Sequence, residues 1–317
     1  MKFLVYSPAK IILFGEHFVV YNYPAIAAAI RPYNKIEIEF LKSKDYELQY
    51  YSTLSQHSFK INKKNKTTKH FLAFLYNFFL KKYPQLKEYK IKVRIKKIWP
   101  LKGVGNSSSI AGSFCYAVEK FLKNKITQKK IYDYIQESDK IAHGKPSGID
   151  ATTISYGNIL EFKKGKKPKK IEFKQPKGWS FFLIGTHNID KKFASTKRQI
   201  KLFAKNEGYK LGEKYKRIFL EAKKTLKKGE GEKLARLLEE NQQLLQMTGV
   251  CSKTSMKIIR ELKKIGISGV KITGAGGKGG SLICLVKQNK IKEVVKFFKE
   301  NKIEFYKFYI SDRGIFD

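Results

Sequence analysis

Lys10, Glu16 and His17 fall within one stretch, Ser7-Pro-Ala-Lys-Ile-Ile-Leu-Phe-Gly-Glu-His17, and Asp150 closes another, His143-Gly-Lys-Pro-Ser-Gly-Ile-Asp150. These residue types suit the transfer of a phosphoryl group to a hydroxyl. An aspartate takes the hydroxyl proton, while a lysine beside it keeps the carboxylate ionised and offsets charge on the moving phosphoryl group. Asp139 stands eleven residues before Asp150, in a stretch with helical spacing. Mg2+ is usually held by one or two carboxylates plus phosphate oxygens, which makes Asp139 a candidate metal ligand. Singly, these residues have ordinary explanations: most helical aspartates are solvated, and most lone histidines make a structural hydrogen bond. What sets them apart is that glycine-rich loops accompany them.

The first such loop, Gly103-Val-Gly-Asn-Ser-Ser-Ser109, lies between an alternating strand pattern and an apolar helical one. Gly103 and Gly105, with Val104 between them, let the backbone turn tightly and approach a ligand. The helix that follows offers unpaired N–H groups and the positive end of its dipole to an anion. Asn106, Ser107, Ser108 and Ser109 supply caps for that helix or a hydroxyl for a phosphate-bound Mg2+. No lysine follows the last glycine, so this is not a P-loop. The second loop, Lys271-Ile-Thr-Gly-Ala-Gly-Gly-Lys-Gly-Gly280, has five glycines in positions 274–280. A turn needs fewer. Gly274, Ala275 and Gly276 are therefore candidates for backbone contact with a phosphate or nucleotide. Together the loops and the polar residues predict a small-molecule kinase that uses ATP.

Positioning four separated stretches requires a sizeable fold. Short apolar runs at 3–6, 11–14, 19–21 and 25–30, punctuated by Asn22-Tyr-Pro24, predict strands with tight connections, and 36–40 and 47–51 continue the sheet. Helical spacing marks 69–82, 107–122 and 128–142, strand alternation marks 89–98, and 143–150 reads as a loop. A hairpin over 157–162 and 170–173 encloses the lysine run 163–170. In the second half, a strand at 180–185 is followed by helices at 195–205, 209–227, 231–247 and 252–265. Strands at 270–273, 281–286 and 304–310, with a helix at 291–301, end the chain. The alternation predicts an α+β protein of two domains, 1–168 and 169–317. A length of 317 residues allows each its own core.

Hydrophobic content of 42% argues against disorder. The first apolar stretch is broken by Pro8 and Lys10, unlike a signal peptide, and the uncharged run 24–30 is far below the roughly 20 residues that span a bilayer. Cys115, Cys251 and Cys284 are far apart and read as reduced core residues of an intracellular, cytoplasmic protein. The net charge of +39 raises the possibility of nucleic-acid binding. However, the lysines are spread along the chain and no aromatic-rich stacking motif accompanies them. A solvated basic surface that attracts anionic substrates is the simpler account, with no specific nucleic acid or membrane partner.

The stretch 7–17, the loop 103–109 and Thr273-Gly-Ala-Gly-Gly277 resemble the three motifs of the GHMP kinases, in the same order. Within that superfamily, Glu16-His-Phe-Val-Val-Tyr21, the stretch 143–150, Ser195-Thr-Lys197 and Asn241-Gln-Gln-Leu-Leu-Gln-Met-Thr-Gly-Val250 are similar to the mevalonate kinase family. The resemblance covers nearly the whole chain. It implies an N-terminal ribosomal-protein-S5-like domain, a C-terminal ferredoxin-like domain, and ATP with Mg2+ between them. It implies phosphate transfer to the 5-hydroxyl of (R)-mevalonate and leaves room for a homodimer. By position, Asp150 matches the catalytic aspartate and Lys10 its partner. Glu16, His17, Ser147 and Thr196 fall at the substrate site, the loop 103–109 and Gly274, Ala275 and Gly276 at ATP, and Ser107 and Asp139 at the metal. The chain departs from the family at three points: Asp139 stands where a glutamate is usual, Asn106 replaces the first serine of a Gly-Ser-Ser run, and Lys278 interrupts the last glycine run.

Overall fold

The computed structural model describes residues 1–52, 57–62, 70–144, 146–186, 201, 203–274, 276 and 280–317. Its framework is a long antiparallel pair, β1 (Lys2–Phe14) and β2 (Ala25–Lys42), in register from Lys2 opposite Glu39 to Phe14 opposite Ile26. Each strand joins two of the short runs expected from the sequence. Pro8 breaks the apolar pattern but not the strand, because the register shifts between Ser7 and Ala9 and so absorbs a residue without an N–H. The expected strand at 19–21 is instead a 3-10 turn, Phe18–Tyr21. His17 and Asn22 on either side of it have φ of 63° and 66°, and that left-handed backbone cannot continue a strand.

β3 (Glu47–Ser52), β4 (His57–Asn62) and β5 (Tyr89–Lys97) extend the sheet, with β3 parallel to β5. Helices α1 (Phe71–Lys82), α2 (Asn106–Phe121) and α3 (Gln128–His143) pack with these strands in one core. Asp150 does not lie in a loop: it is in the first turn of α4 (Ile149–Tyr156). Six residues of α4, among them Ile149, Ala151, Thr152 and Ile154, are buried. Because its threonines and Ser155 are buried along with its apolar residues, the helix carries no 3.6-residue alternation for a sequence reading to detect.

The hairpin β6 (Ile159–Phe162) and β7 (Lys169–Ile171) leads to β8 (Trp179–Gly185). Then come α5 (Gly212–Lys228), α6 (Gly231–Met247), α7 (Lys253–Lys264), β9 (Val270–Thr273), β10 (Ser281–Lys287), α8 (Ile291–Glu300) and β11 (Phe305–Ile310). The strand order β4-β3-β5-β2-β11-β8-β10-β9 places the last strand at the seam. β11 pairs with β2 through Tyr309 and Ile310, and with β8 through residues 305–308. Beyond it, Phe316 exchanges backbone hydrogen bonds with Tyr6 at 2.7 and 3.0 Å.

The two cores meet along β1. Val5 belongs to the core of α1–α3, whereas Ala9, Ile11, Leu13 and Phe14 belong to the core of the second half. Burying a large apolar side chain contributes roughly 1.5–3 kcal/mol, so both cores hold β1 firmly. Residues on its other face, Lys10 included, are thereby fixed at the junction. Among the described residues, no helix is long and apolar enough to cross a membrane. All three cysteines are free, Cys115 and Cys284 buried and Cys251 partly so.

Candidate active site

Lys10 is 4% exposed, and its Nζ lies 2.8 Å from Asp150 Oδ1, whose side chain is 34% exposed. Three elements produce this contact. β1 carries the lysine, the start of α4 carries the aspartate, and the turn 103–105 covers them. The Lys10 N–H donates to Val104 O at 2.8 Å and its Nζ to Gly103 O at 3.4 Å. Gly105 has φ of 75°, and a Cβ there would sit 3.5 Å from Lys10 Cβ. That distance is ordinary van der Waals contact, so it is the positive φ that favours glycine at this turn. The first-turn position of Asp150 gives its carboxylate the favourable end of a helix dipole.

The start of α2 uses its polar residues for separate tasks. Asn106 Nδ2 donates to the carbonyls of Trp99 at 2.6 Å and Leu101 at 3.3 Å, tying the loop to the exit of β5. This accounts for an asparagine in place of a serine. Ser109 Oγ accepts from Asn34 Nδ2 at 2.8 Å. Ser108 Oγ lies 3.1 and 3.3 Å from the two oxygens of Asp139. The serine that meets Asp139 is therefore Ser108. Ser107, paired with Asp139 as a metal ligand by the resemblance, stays half-exposed at the same turn.

Burial pushes the Asp139 carboxyl up to about 7, the negative charge of Asp150 adds to the shift, and Ser108 and Lys10 oppose it. Two neighbouring carboxyl groups share one buried lysine at the foot of α2, and a cation there would favour their ionised forms. A carboxylate and hydroxyl set of this kind fits Mg2+ held jointly with phosphate oxygens. Among the described residues, no three His, Cys, Asp or Glu side chains gather to hold a metal by themselves.

Glu16 and Lys271 form a second ion pair, with both side chains 0% exposed. Lys271 Nζ also donates to Ile272 O at 2.7 Å. Burial raises the Glu16 carboxyl against the opposing pull of Lys271, and burial lowers the Lys271 ammonium. Two residues on, Thr273 Oγ1 accepts from Ile12 N at 2.8 Å and donates to Ile12 O at 3.1 Å. Ser281 Oγ donates to Lys102 O at 3.0 Å, and a Cβ on Gly274 would lie 3.6 Å from Gly103 O. The second glycine loop thus abuts the first. In the sequence Lys271 reads only as the approach to those glycines. The signal was present: a lysine between Val270 and Ile272, in a strand whose four residues are all buried.

His17 is buried, with its ring stacked on Phe203 at 5.8 Å between centroids. Ser147 accepts the Ile149 amide at 3.4 Å, at the entry of α4. Gly276 is buried at φ of 69°. Thr196, Ala275, Lys278 and the Ser195-Thr-Lys197 match lie outside the described residues.

Residues 69–158 match the family model for the GHMP kinase N-terminal domain, and residues 222–303 that for the GHMP kinase C-terminal domain. The chain is 30% identical over 316 residues to a mevalonate kinase of Methanocaldococcus jannaschii, covering 96% of this chain and 98% of that protein. It is 29% identical over 314 residues to a mevalonate kinase of Pyrococcus furiosus, covering 93% and 92%. A crystal structure of mevalonate kinase superposes with a TM-score of 0.84 at 26% identity, covering 98% of this chain and all of that one. The L. major mevalonate kinase in complex with R-mevalonate has the same fold, with a TM-score of 0.80 at 23% identity over 96% and 94% of the two chains.

Proposed function

The chain belongs to the GHMP kinases, and on that footing we propose that it transfers the γ-phosphoryl group of ATP to the 5-hydroxyl of (R)-mevalonate, giving 5-phosphomevalonate and ADP. The observation that carries this reading is the Lys10–Asp150 contact of 2.8 Å beneath the turn 103–105. Asp150 accepts the hydroxyl proton as that oxygen attacks phosphorus. Lys10, 2.8 Å from that carboxylate, orients it and faces the charge that develops on the transferring group. The loop 103–109 and Gly274, Ala275 and Gly276 cradle the nucleotide. Amides at the start of α2 are the donors for its phosphates.

Glu16, His17 and Ser147 line the acceptor side, and Thr196 is assigned there by its sequence match. Asp139, with the hydroxyl of Ser107 or Ser108, would hold Mg2+. When bound, that cation neutralises phosphate charge and orients the phosphate chain. The likeness to mevalonate kinases and the even spread of basic residues support a cytoplasmic enzyme acting on small anions.

The test is ADP release by the purified protein with Mg2+-ATP and, in turn, (R)-mevalonate, its 5-phosphate, galactose and homoserine. Turnover confined to mevalonate, with a 5-phosphate product, is the expected result. Preference for the 5-phosphate would move the enzyme one step along the same route, and silence on all four would overturn the reading.

A further inference from the structure

Glu16 lines the acceptor side, whereas Lys271 has no part in the chemistry assigned so far, and the pair they form is fully enclosed. Two opposite charges have been taken completely out of water, at a desolvation cost of several kcal/mol per ion. Well-packed apolar residues would hold the turn after β1 to β9 as firmly, so stability alone does not explain the pair. Its surroundings are specific too. Gln242 accepts the Ile272 amide at 2.9 Å and donates to Cys251 Sγ at 3.1 Å, fixing the backbone on the far side of Lys271. The groups that sense the Glu16 charge are Lys271 on β9, Lys10 on β1, Tyr215 on α5 and Cys251 ahead of α7.

Only one of the two carboxylate oxygens is engaged by Lys271. Glu16 Oε2 is buried and has no hydrogen-bond partner among the described residues. Leaving such an acceptor unmatched costs on the order of 1–3 kcal/mol. The neighbouring turn is also unusual: Gly15 has φ of 103° and His17 has φ of 63°. A backbone of this kind persists only where the surroundings hold it.

We propose that Lys271 is a positioning residue for phosphoryl transfer: through its ion pair it fixes the Glu16 carboxylate, and with it the turn 15–17, at one distance from the loop after β9. The proposal rests on the reading that residues 16 and 17 face the acceptor. Lys271 acts through Glu16 and does not itself touch the substrate. One lysine at the root of the second glycine loop thus sets the spacing between the acceptor turn and the nucleotide loop. Misplacement of about 1 Å at such a site costs up to about 100-fold in rate.

The test is a double-mutant cycle of Lys271→Met, Glu16→Gln and the pair together, reading KM for mevalonate, kcat, nucleotide affinity and thermal melting. Lys271→Met is expected to raise the mevalonate KM by about 10- to 100-fold while leaving ATP affinity within a few-fold. Its KM should fall again as pH rises, because Glu16 without its lysine takes up a proton and loses it only at higher pH. The paired variant should be no worse than Glu16→Gln alone. Losses that add in the paired variant would show that Lys271 acts independently of Glu16, and an unchanged mevalonate KM in Lys271→Met would make the pair a structural strut; either overturns the proposal.

If Lys271→Met does not fold, the comparison of the paired variant with Glu16→Gln decides by itself. Equal kcat/KM supports the proposal, and a further tenfold loss overturns it. Wild-type turnover with another acceptor in place of mevalonate would remove the acceptor assignment alone, and the same cycle on that acceptor would still test Lys271.

Discussion

Two lysine–carboxylate pairs involve β1 and the turn that follows it, and they are built in opposite ways. Lys10 and Asp150 are 4% and 34% exposed, so the carboxylate faces solvent while its lysine does not. Lys271 and Glu16 are both 0% exposed. The first pair can exchange its partners: the carboxylate has room to receive a hydroxyl proton and the lysine to turn toward a phosphate. The second pair can exchange nothing, so losing either partner strands a charge in the core. Reactivity in this molecule comes from a pair that is half-sealed, and geometry from one that is fully sealed.

Exchanging the charge of one member separates the two roles. Asp150→Asn should lower kcat by about 10²- to 10⁴-fold, the usual worth of a positioned base, with ATP affinity and melting temperature almost unchanged. Steady-state kinetics beside nucleotide titration checks this, and near-normal turnover would take Asp150 out of the chemistry. Lys271→Met should do the reverse to stability and cost about 3–5 kcal/mol, since it leaves a buried carboxylate unpaired. Denaturant unfolding of that variant against the doubly neutral Glu16→Gln/Lys271→Met protein measures the effect, and the second substitution should recover most of it.

Asp139→Ala should raise the Mg2+ concentration for half-maximal rate by about tenfold or more, with kcat at saturating Mg2+ much less affected. An unaltered Mg2+ titration would leave Asp139 as a helix residue bonded to Ser108. The smallest effect is expected at a carboxylate far from the cleft. Glu37 accepts ion pairs from Lys2 at 2.8 Å, Arg94 at 2.9 Å and Lys96 at 3.4 Å. Burial alone would raise its carboxyl, but these three cations outweigh that and bring it down to about 2 from 4.5. A carboxyl lowered on folding stabilises the protein above its unfolded value, so this contribution is present above pH 4.5 and fades as pH falls toward 2. Glu37→Gln should therefore flatten the acid limb of the stability curve in that window without altering catalysis at neutral pH.

Most strands and helices were legible because their burial is one-sided and so leaves a period in the sequence. β5 over Tyr89–Lys97, whose burial alternates, and α6 over Gly231–Met247 emerged close to where they were expected. Where burial is nearly complete the period vanishes, which is why α4 was missed although it holds Asp150. Left-handed backbone at His17 and Asn22 overrode the apolar run 19–21 in the same local manner. Within the site, Lys10 and Asp150 were legible as a pair because the chemistry demands both. Ser108 over Ser107 was not, since consecutive helical positions differ by about 100° in direction and only coordinates choose between them. Lys271 was overlooked because the glycines beside it carry the more conspicuous pattern.

The seam strand has a consequence for how the molecule comes into being. β11 lies between β2 and β8, and Phe316 closes on Tyr6. During synthesis, β2 must wait for residues made nearly three hundred positions later before this part of its edge is covered. Until then the nascent chain carries two facing strand edges with unpaired amides and carbonyls, the kind of surface that recruits foreign strands. A dense coat of like charge, +39 over 317 residues, keeps such half-finished chains apart. The basic composition that looked like a lure for nucleic acid would then protect the chain until its last strand arrives.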